Sequence, residues 1–580
     1  MQMFPLFDFS QFPSPAVKIP ENQKLRKEQY KKGITAEDAS KRRIDLADQL
    51  RKQQRLESIS KRRKDIVTNA DFSVDSKMND SGTKITDLAK QLILSNSETQ
   101  QQTLKLIRVK LTQTAKDNQD DINELLNANI LPLLFRLMLS DDPVTNHEVI
   151  YESSWVVLNL LSGTNNTEAC MKIVNAGVID VLFKMLTVFR PPSVLEHIIW
   201  SFGNIAGDNN SVRVNLVSRG ILQCFAEIFA SNPKISILEL MVWTISNLAR
   251  GVPTIPFVQF VPLLPVLHKM IISEDHDILS SNILFECCWI FARLTEDHSQ
   301  GNSQIEHILK LNVFPKFVSF IGHPDENIQI PSLRFLGNIA TGNTDQCGLL
   351  SQYGVLPRLL PFLKHDKKAF RKEICWILSN LAANGENEIQ QMITLGVLPH
   401  ICNMIQTESC EIRKECGWVL CNCIINLDEK NIGIFTESIV IFALCDLFKQ
   451  SDTSLLCSTL EALEKLLLCA SRCSVSVNRV VSWIEQRDHV SELEMLQYRD
   501  NHDISRRASN IIFQFFNNLD ENEDDEIERH AVYETDTSNA GFQLDPNFQI
   551  DQNFQIQNSS SSHYEEGSSS SSSFFPEMEF

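Results

Sequence analysis

No run of 18 apolar residues occurs anywhere in the 580-residue chain, so no ordinary membrane-spanning helix is expected. The first residues, Met1-Gln-Met-Phe-Pro-Leu-Phe-Asp8, hold neither a charged leader nor an apolar stretch, and no secretory signal is expected either. Fifteen cysteines are present, but they lack the paired C-x-x-C spacing of a structural metal site and the regular framework of a disulfide scaffold. Cys287-Cys288 and Cys421-Asn-Cys423 fall within helical patterns and read as reduced, buried thiols of a cytosolic or nuclear protein. The chain has no G-x-x-x-x-G-K-[ST] loop, no G-x-G-x-x-G, no H-E-x-x-H and no G-x-S-x-G. Its 13 histidines are scattered. The expectation is a protein that is not an enzyme and needs no metal or cofactor.

Tryptophan is also scarce, at seven residues, yet six of the seven are evenly spaced. Five of these carry asparagine four residues later: Trp155/Asn159, Trp200/Asn204, Trp243/Asn247, Trp376/Asn380 and Trp418/Asn422. Trp289 has Arg293 at that place, and one unit is written Arg334-Phe-Leu-Gly-Asn338, with arginine in the tryptophan position. The steps of 42 to 46 residues match the period of armadillo or HEAT solenoids. Positions i and i+4 share one helix face, so stacked units would align these pairs as a ladder. Short glycine turns recur at Ala176-Gly-Val-Ile179, Arg219-Gly-Ile-Leu222, Tyr353-Gly-Val-Leu-Pro357 and Leu395-Gly-Val-Leu-Pro399. They divide each unit into three helices, with tryptophan and asparagine on the last and longest. The fold expected is all-α, a right-handed superhelical solenoid of about ten armadillo repeats over residues 85–516.

The formal net charge of −19 conceals an asymmetry. Residues 24–64 hold fifteen Lys and Arg against six Asp and Glu, a net of +9 that leaves −28 on the remainder. An acidic body with a basic appendage can bind its own segment, and it argues against a body that binds nucleic acid directly. Residues 1–23 lack periodicity and read as disordered, and residues 65–84 form a polar linker whose reach as a flexible chain is roughly 25 Å. The tail, 517–580, is acidic, then carries Phe542-Gln-Leu-Asp, Phe548-Gln-Ile-Asp and Phe554-Gln-Ile-Gln, and ends in serine tracts. Its composition reads as disordered, with the Phe-Gln repeats either solvating or acting as short adhesive motifs.

The ladder suits an extended lysine-rich peptide. Indole faces receive the stems of Lys and Arg, and an asparagine amide both donates to and accepts from a peptide unit. Asp208, one turn beyond Asn204, and Glu286, Glu373 and Glu415, each three before a tryptophan, are expected at the rim as acids selecting positive heads. Apolar residues beside each tryptophan already supply a core, so the indoles are expected to be surplus to packing.

These runs resemble the importin-α (karyopherin-α) family over residues 24–510. The match rests on Trp200-Ser-Phe-Gly-Asn-Ile-Ala-Gly-Asp208, Trp243-Thr-Ile-Ser-Asn-Leu-Ala-Arg250 and Arg334-Phe-Leu-Gly-Asn-Ile-Ala-Thr-Gly342. The resemblance implies a nuclear-import adaptor shuttling between cytoplasm and nucleus, without membrane or direct nucleic-acid contact. A major signal site would use Trp155, Asn159, Trp200, Asn204, Asp208, Trp243 and Asn247. A minor site would use Arg334, Asn338, Glu373, Trp376, Asn380, Glu415, Trp418 and Asn422. Residues 24–64 resemble the importin-β-binding domain, and Lys41, Arg42, Arg43, Arg51, Lys52, Lys61, Arg62 and Arg63 would serve importin-β binding and autoinhibition. Leu493-Glu-Met-Leu-Gln-Tyr-Arg-Asp500 resembles the last repeat, where the family's export receptor binds. Three residues depart from the family's habit: Arg293 where it has Tyr, Leu240 where it has Asn, and His197 where it has Gln. An armadillo scaffold in signalling or adhesion is the alternative reading.

Overall fold

The computed structural model describes residues 84–516, apart from short gaps at 95–96, 114–118, 141–145, 163–166, 188–190, 274–279, 297–302, 429, 473 and 488. Segments 1–23 and 24–64, all but the last residue of 65–84, and the tail 517–580 lie outside the described residues. So do Lys41, Arg42, Arg43, Arg51, Lys52, Lys61, Arg62 and Arg63.

Every regular element among the described residues is helical. Ten helices close the successive units, and we number them α1 (Ser97–Gln113), α2 (His147–Leu161), α3 (Pro192–Asp208), α4 (Ile235–Leu248), α5 (Ser281–Leu294), α6 (Glu326–Ala340), α7 (Lys368–Ala382), α8 (Cys410–Asn426), α9 (Thr453–Ala470) and α10 (His502–Phe515). Each packs against the next along the series. The chain is thus an all-α array of armadillo units, and the ladder tryptophans sit on α2 to α5, α7 and α8.

The glycine turns follow from backbone sterics. Gly177, Gly220, Gly354 and Gly396 all have φ between 61° and 97°, a region costly for residues with a Cβ. Asn129 and Asn312, with φ of 55° and 57°, make the same turn in two other units. Asparagine is the side chain that best tolerates this conformation, which is why a glycine search passes over these two turns. Helix starts are fixed locally as well. The side chains of Asp325 and Asp452 accept backbone N–H bonds at the starts of α6 and α9, and Asn501 does so for α10.

The core runs without interruption from Ile85 to Ile511 and is built mainly of Leu, Ile, Val and Phe. Cys287, Cys288, Cys375, Cys416, Cys421 and Cys423 are fully buried free thiols within it. Burial pushes the Cys421 thiol up to about 12, so this sulfur packs as a small apolar group and not as a nucleophile.

Candidate functional site

The ladder indoles are integral to packing. Trp155, Trp289, Trp376 and Trp418 are buried, Trp200 is 9% exposed and Trp243 is half-buried. The expectation that they are surplus to packing is therefore corrected, and the glycine before the ladder asparagine explains why. A Cβ at Gly203 would lie 2.6 Å from Cε3 of Trp243 and closer still to Cζ3. One at Gly337 would lie 2.7 Å from Cε3 of Trp376. Each of these tryptophans lies directly on the backbone of the preceding ladder helix, where only a residue without a side chain leaves room.

The asparagines also reach back one unit. Nδ2 of Asn247 donates to the Gly203 carbonyl at 3.1 Å, Nδ2 of Asn338 to the Ala292 carbonyl at 2.7 Å, and Nδ2 of Asn422 to the Ser379 carbonyl at 2.9 Å. In all three the acceptor is the residue just before the fourth-place residue of the previous rung. Asn204 donates instead to Ser162 Oγ at 2.9 Å. One N–H of each amide is thus committed to register between units. For Asn247 and Asn422 this leaves the second N–H and Oδ1 as the groups available to a ligand, whereas Nδ2 of Asn338 also donates to Thr295 Oγ1 at 3.2 Å and leaves only its Oδ1. At Asn380 the Nδ2 is a buried donor without an acceptor in the structure, and so is the indole Nε1 of Trp418. Buried unpaired donors are costly, so these two rungs carry a local cost to stability.

The position three before the tryptophan has a shared role at the rungs of Trp155, Trp200 and Trp376, where its side chain meets the previous ladder helix. Glu152, before Trp155, takes a two-pronged bond from Arg108 of α1, at 2.5 Å from Nε and 3.2 Å from Nη2. Arg108 in turn stands 4.3 Å over the Trp155 ring. Glu373, before Trp376, takes the same two-pronged bond from Arg334, whose Nη1 also reaches Glu296 at 3.4 Å. Burial opposes the charge on Arg334, and the two carboxylates outweigh it, holding its pKa above the ordinary value. The Arg334 guanidinium lies 5.7 Å over Trp376. Glu373 is therefore an internal partner of Arg334, which corrects its reading as a rim acid waiting for a lysine. Glu286 and Glu415 hold the equivalent place at their rungs and are 8% and 7% exposed.

His197, before Trp200, follows the same geometry. Its ring stacks at a tilt on Trp155, 5.1 Å between centroids, and on Tyr151 at 4.9 Å. Ser154 Oγ lies 2.8 Å from both the Tyr151 carbonyl and His197 Nδ1. The hydroxyl donates to the carbonyl and accepts from Nδ1–H, which assigns the tautomer from the bonding network. Burial, reinforced by Arg108, holds His197 at about 3, so the ring is neutral.

Asp208 is the half-buried last residue of α3. Just past α4, Arg250 donates to the Gly207 carbonyl beside it. Arg293 stands 5.3 Å over its own Trp289 and is buried. Leu240, three before Trp243, is buried and its carbonyl accepts from Thr244 Oγ1 at 2.8 Å. Asn159 is buried on α2. Sequence reasoning missed Arg108 and Glu152, although Glu152 stands in the same relation to Trp155 as Glu373 does to Trp376. It missed the Gly203 and Gly337 beds as well, visible in the repeated Gly-Asn pair. Among the described residues no group of acidic, histidine or cysteine side chains could hold a metal ion, and no helix is long and apolar enough to cross a membrane.

Comparison with known proteins bears on these features. Residues 26–128 match the importin beta binding domain, residues 301–341, 343–383 and 386–424 match the armadillo/beta-catenin-like repeat, and residues 478–529 match the atypical Arm repeat. The importin subunit alpha-1b of Oryza sativa subsp. japonica is 31% identical over 39% of this chain and 40% of its own length. The importin subunit alpha-3 of Arabidopsis thaliana is 28% identical over 55% and 58%, and the importin subunit alpha-B of Dictyostelium discoideum 30% identical over 55% and 60%. The aligned regions thus span about half the length of these relatives. An engineered protein of known crystal structure shares the fold, with a TM-score of 0.60 at 21% identity, covering 74% of this chain and 98% of that one. A basic domain of this kind ahead of armadillo repeats, a ladder of in-phase tryptophans and asparagines, and several importin alpha relatives together support the importin-α family for this chain.

Proposed function

We propose that this chain is a nuclear-import adaptor that binds basic nuclear-localisation signals along the ladder and couples them to importin-β through its basic N-terminal segment. The observation that carries this reading is the pairing of two complementary parts: an importin beta binding match beginning at residue 26, and a row of indoles and amides on an acidic body. A lysine stem lies along an indole, and the amide left over from unit-to-unit bonding fixes the peptide backbone. The major site takes Trp155, Asn159, Trp200, Asn204, Asp208, Trp243 and Asn247. The minor site takes Arg334, Asn338, Glu373, Trp376, Asn380, Glu415, Trp418 and Asn422, with Arg334 and Glu373 acting as a fixed pair. Asp208 supplies a carboxylate to a lysine head, a charge-assisted bond stronger than a neutral one.

In this reading, residues 24–64 hold importin-β and, in its absence, Lys61-Arg62-Arg63 occupies the groove as an internal competitor. Shuttling between cytoplasm and nucleus, with return by an export receptor at the last repeat, completes the cycle. The test is calorimetry of the chain with a Lys-Lys-Lys-Arg-Lys peptide, together with capture by importin-β. Trp200→Ala is expected to weaken peptide binding by about 1–3 kcal/mol, and Asp208→Lys nearly to abolish it with the circular dichroism unchanged. Wild-type affinity in both variants would refute the assignment of the groove.

A further inference from the structure

His197 sits where a ligand would have to go. Between two successive rungs, a lysine stem needs a gap wide enough for a methylene chain in contact with the rings on either side, each contact about 3.5–4 Å. At the rung of Trp155 that gap is already filled from both neighbouring helices. From α1, the Arg108 guanidinium lies 4.3 Å over the indole, clamped by Glu152. From α3, the His197 imidazole lies 5.1 Å from it. The imidazole has no freedom to swing aside. Tyr151 packs on it at 4.9 Å and Ser154 bonds its Nδ1, while Trp155 itself is only 6% exposed.

We propose that His197 closes the slot between Trp155 and Trp200, so that the signal site takes its basic side chains from Trp200 onward and reads a run one stem shorter than the ladder's phase implies. This rests on the signal-binding reading and makes His197 a specificity-determining residue of the same site. The bound segment is a basic peptide whose end, at the Trp155 rung, needs no lysine. Arg108 plays the part of an internal ligand there: a guanidinium on an indole with a carboxylate behind it.

The test uses the full-length chain and a fluorescent lysine-rich peptide of about ten residues, roughly 33 Å when extended, so that every register is available. All variants carry Lys61→Ala, Arg62→Ala and Arg63→Ala as well, so the internal competitor does not enter the ratios between them. His197→Gln and His197→Ala are expected to tighten binding about tenfold, the order of one cation–π contact, and the gain is expected to vanish when Trp155→Ala is added. On the wild-type chain, a peptide whose basic run is one lysine shorter is expected to bind within about threefold of the longer one, and this measurement stands even where a His197 variant fails to fold. Unaltered affinity in both folded His197 variants, or a larger loss with the shortened run, would overturn the closed slot. A wild-type chain that does not bind the peptide at all would overturn the signal-binding reading itself, and this inference with it.

Discussion

Removing the Glu373 side chain separates two roles for this acid. As a rim acid it would select a lysine head, and Glu373→Ala would weaken a ligand while leaving the fold intact. As the partner of Arg334 it neutralises a guanidinium that is itself only 5% exposed. The pair's side chains are 6% and 7% exposed, so solvent screens them little. In Glu373→Ala, Arg334 keeps only Glu296, at 3.4 Å and on a side chain that is 19% exposed. Breaking a buried pair typically costs about 3–5 kcal/mol, and the remaining carboxylate places the expectation near the lower end, at about 3 kcal/mol. Repeat arrays open locally, so amide hydrogen exchange is the suitable assay, and about 3 kcal/mol corresponds to exchange faster by roughly 150-fold. The acceleration should be confined to α6, α7 and their immediate neighbours. Arg334→Met added to Glu373→Ala should recover most of the loss, because no unpaired charge is then buried. Exchange within about twofold of wild type, with a clear fall in peptide affinity, would restore the rim-acid reading and refute the pairing argument.

Other consequences are equally direct. Gly203→Ala should displace the Trp243 indole, destabilise the α3–α4 packing by about 1–3 kcal/mol and weaken peptide binding, all readable in urea melts and tryptophan fluorescence; a wild-type emission spectrum would count against the glycine bed. His197 is ordinarily half-protonated at 6.5 and is held at about 3 here, so between those values the unfolded chain binds a proton that the folded chain refuses. Stability should therefore fall as pH drops through this window, by at most about 1.4 kcal/mol per unit, and His197→Gln should flatten the slope between pH 7 and 5; equal slopes would place the titrating group elsewhere. Replacing Lys61, Arg62 and Arg63 together by alanine should tighten cargo binding to the level reached when the wild-type chain is saturated with importin-β, and by linkage cargo should strengthen importin-β binding equally; three indistinguishable cargo affinities would leave the segment as a handle alone.

Much of this was legible in the sequence because a solenoid repeats its instructions. The period of the tryptophans located the ladder helices, and glycine at the turns located the breaks between the shorter ones. What stayed hidden were contacts between units. Nothing within the run Trp243-Thr-Ile-Ser-Asn247 tells that its asparagine bonds the Gly203 carbonyl, because that partner is 44 residues away. Arg108 was invisible for a similar reason: its unit lacks the tryptophan that would have flagged it. The apolar residues beside each indole suggested a core already complete. They do not show that the bed under Trp243 is a bare backbone, a property of Gly203 and the stacking distance together.

The role of the position before each tryptophan suggests how such a groove is tuned. Stacking depends on the indole, its bed and the backward-reaching amide, so changes there disturb two units at once. At Glu152, His197 and Glu373 the residue three before the tryptophan meets the previous rung through its side chain. At that place this chain has Glu152, His197, Leu240, Glu286, Glu373 and Glu415. Two of these acids fix an arginine over an indole, and the histidine covers an indole directly. Because a solenoid unit contacts only its neighbours, a substitution at one such position alters one slot and leaves the next unchanged. The groove can therefore be edited rung by rung, and which rungs accept a cation depends more on these residues than on the evenly spaced tryptophans.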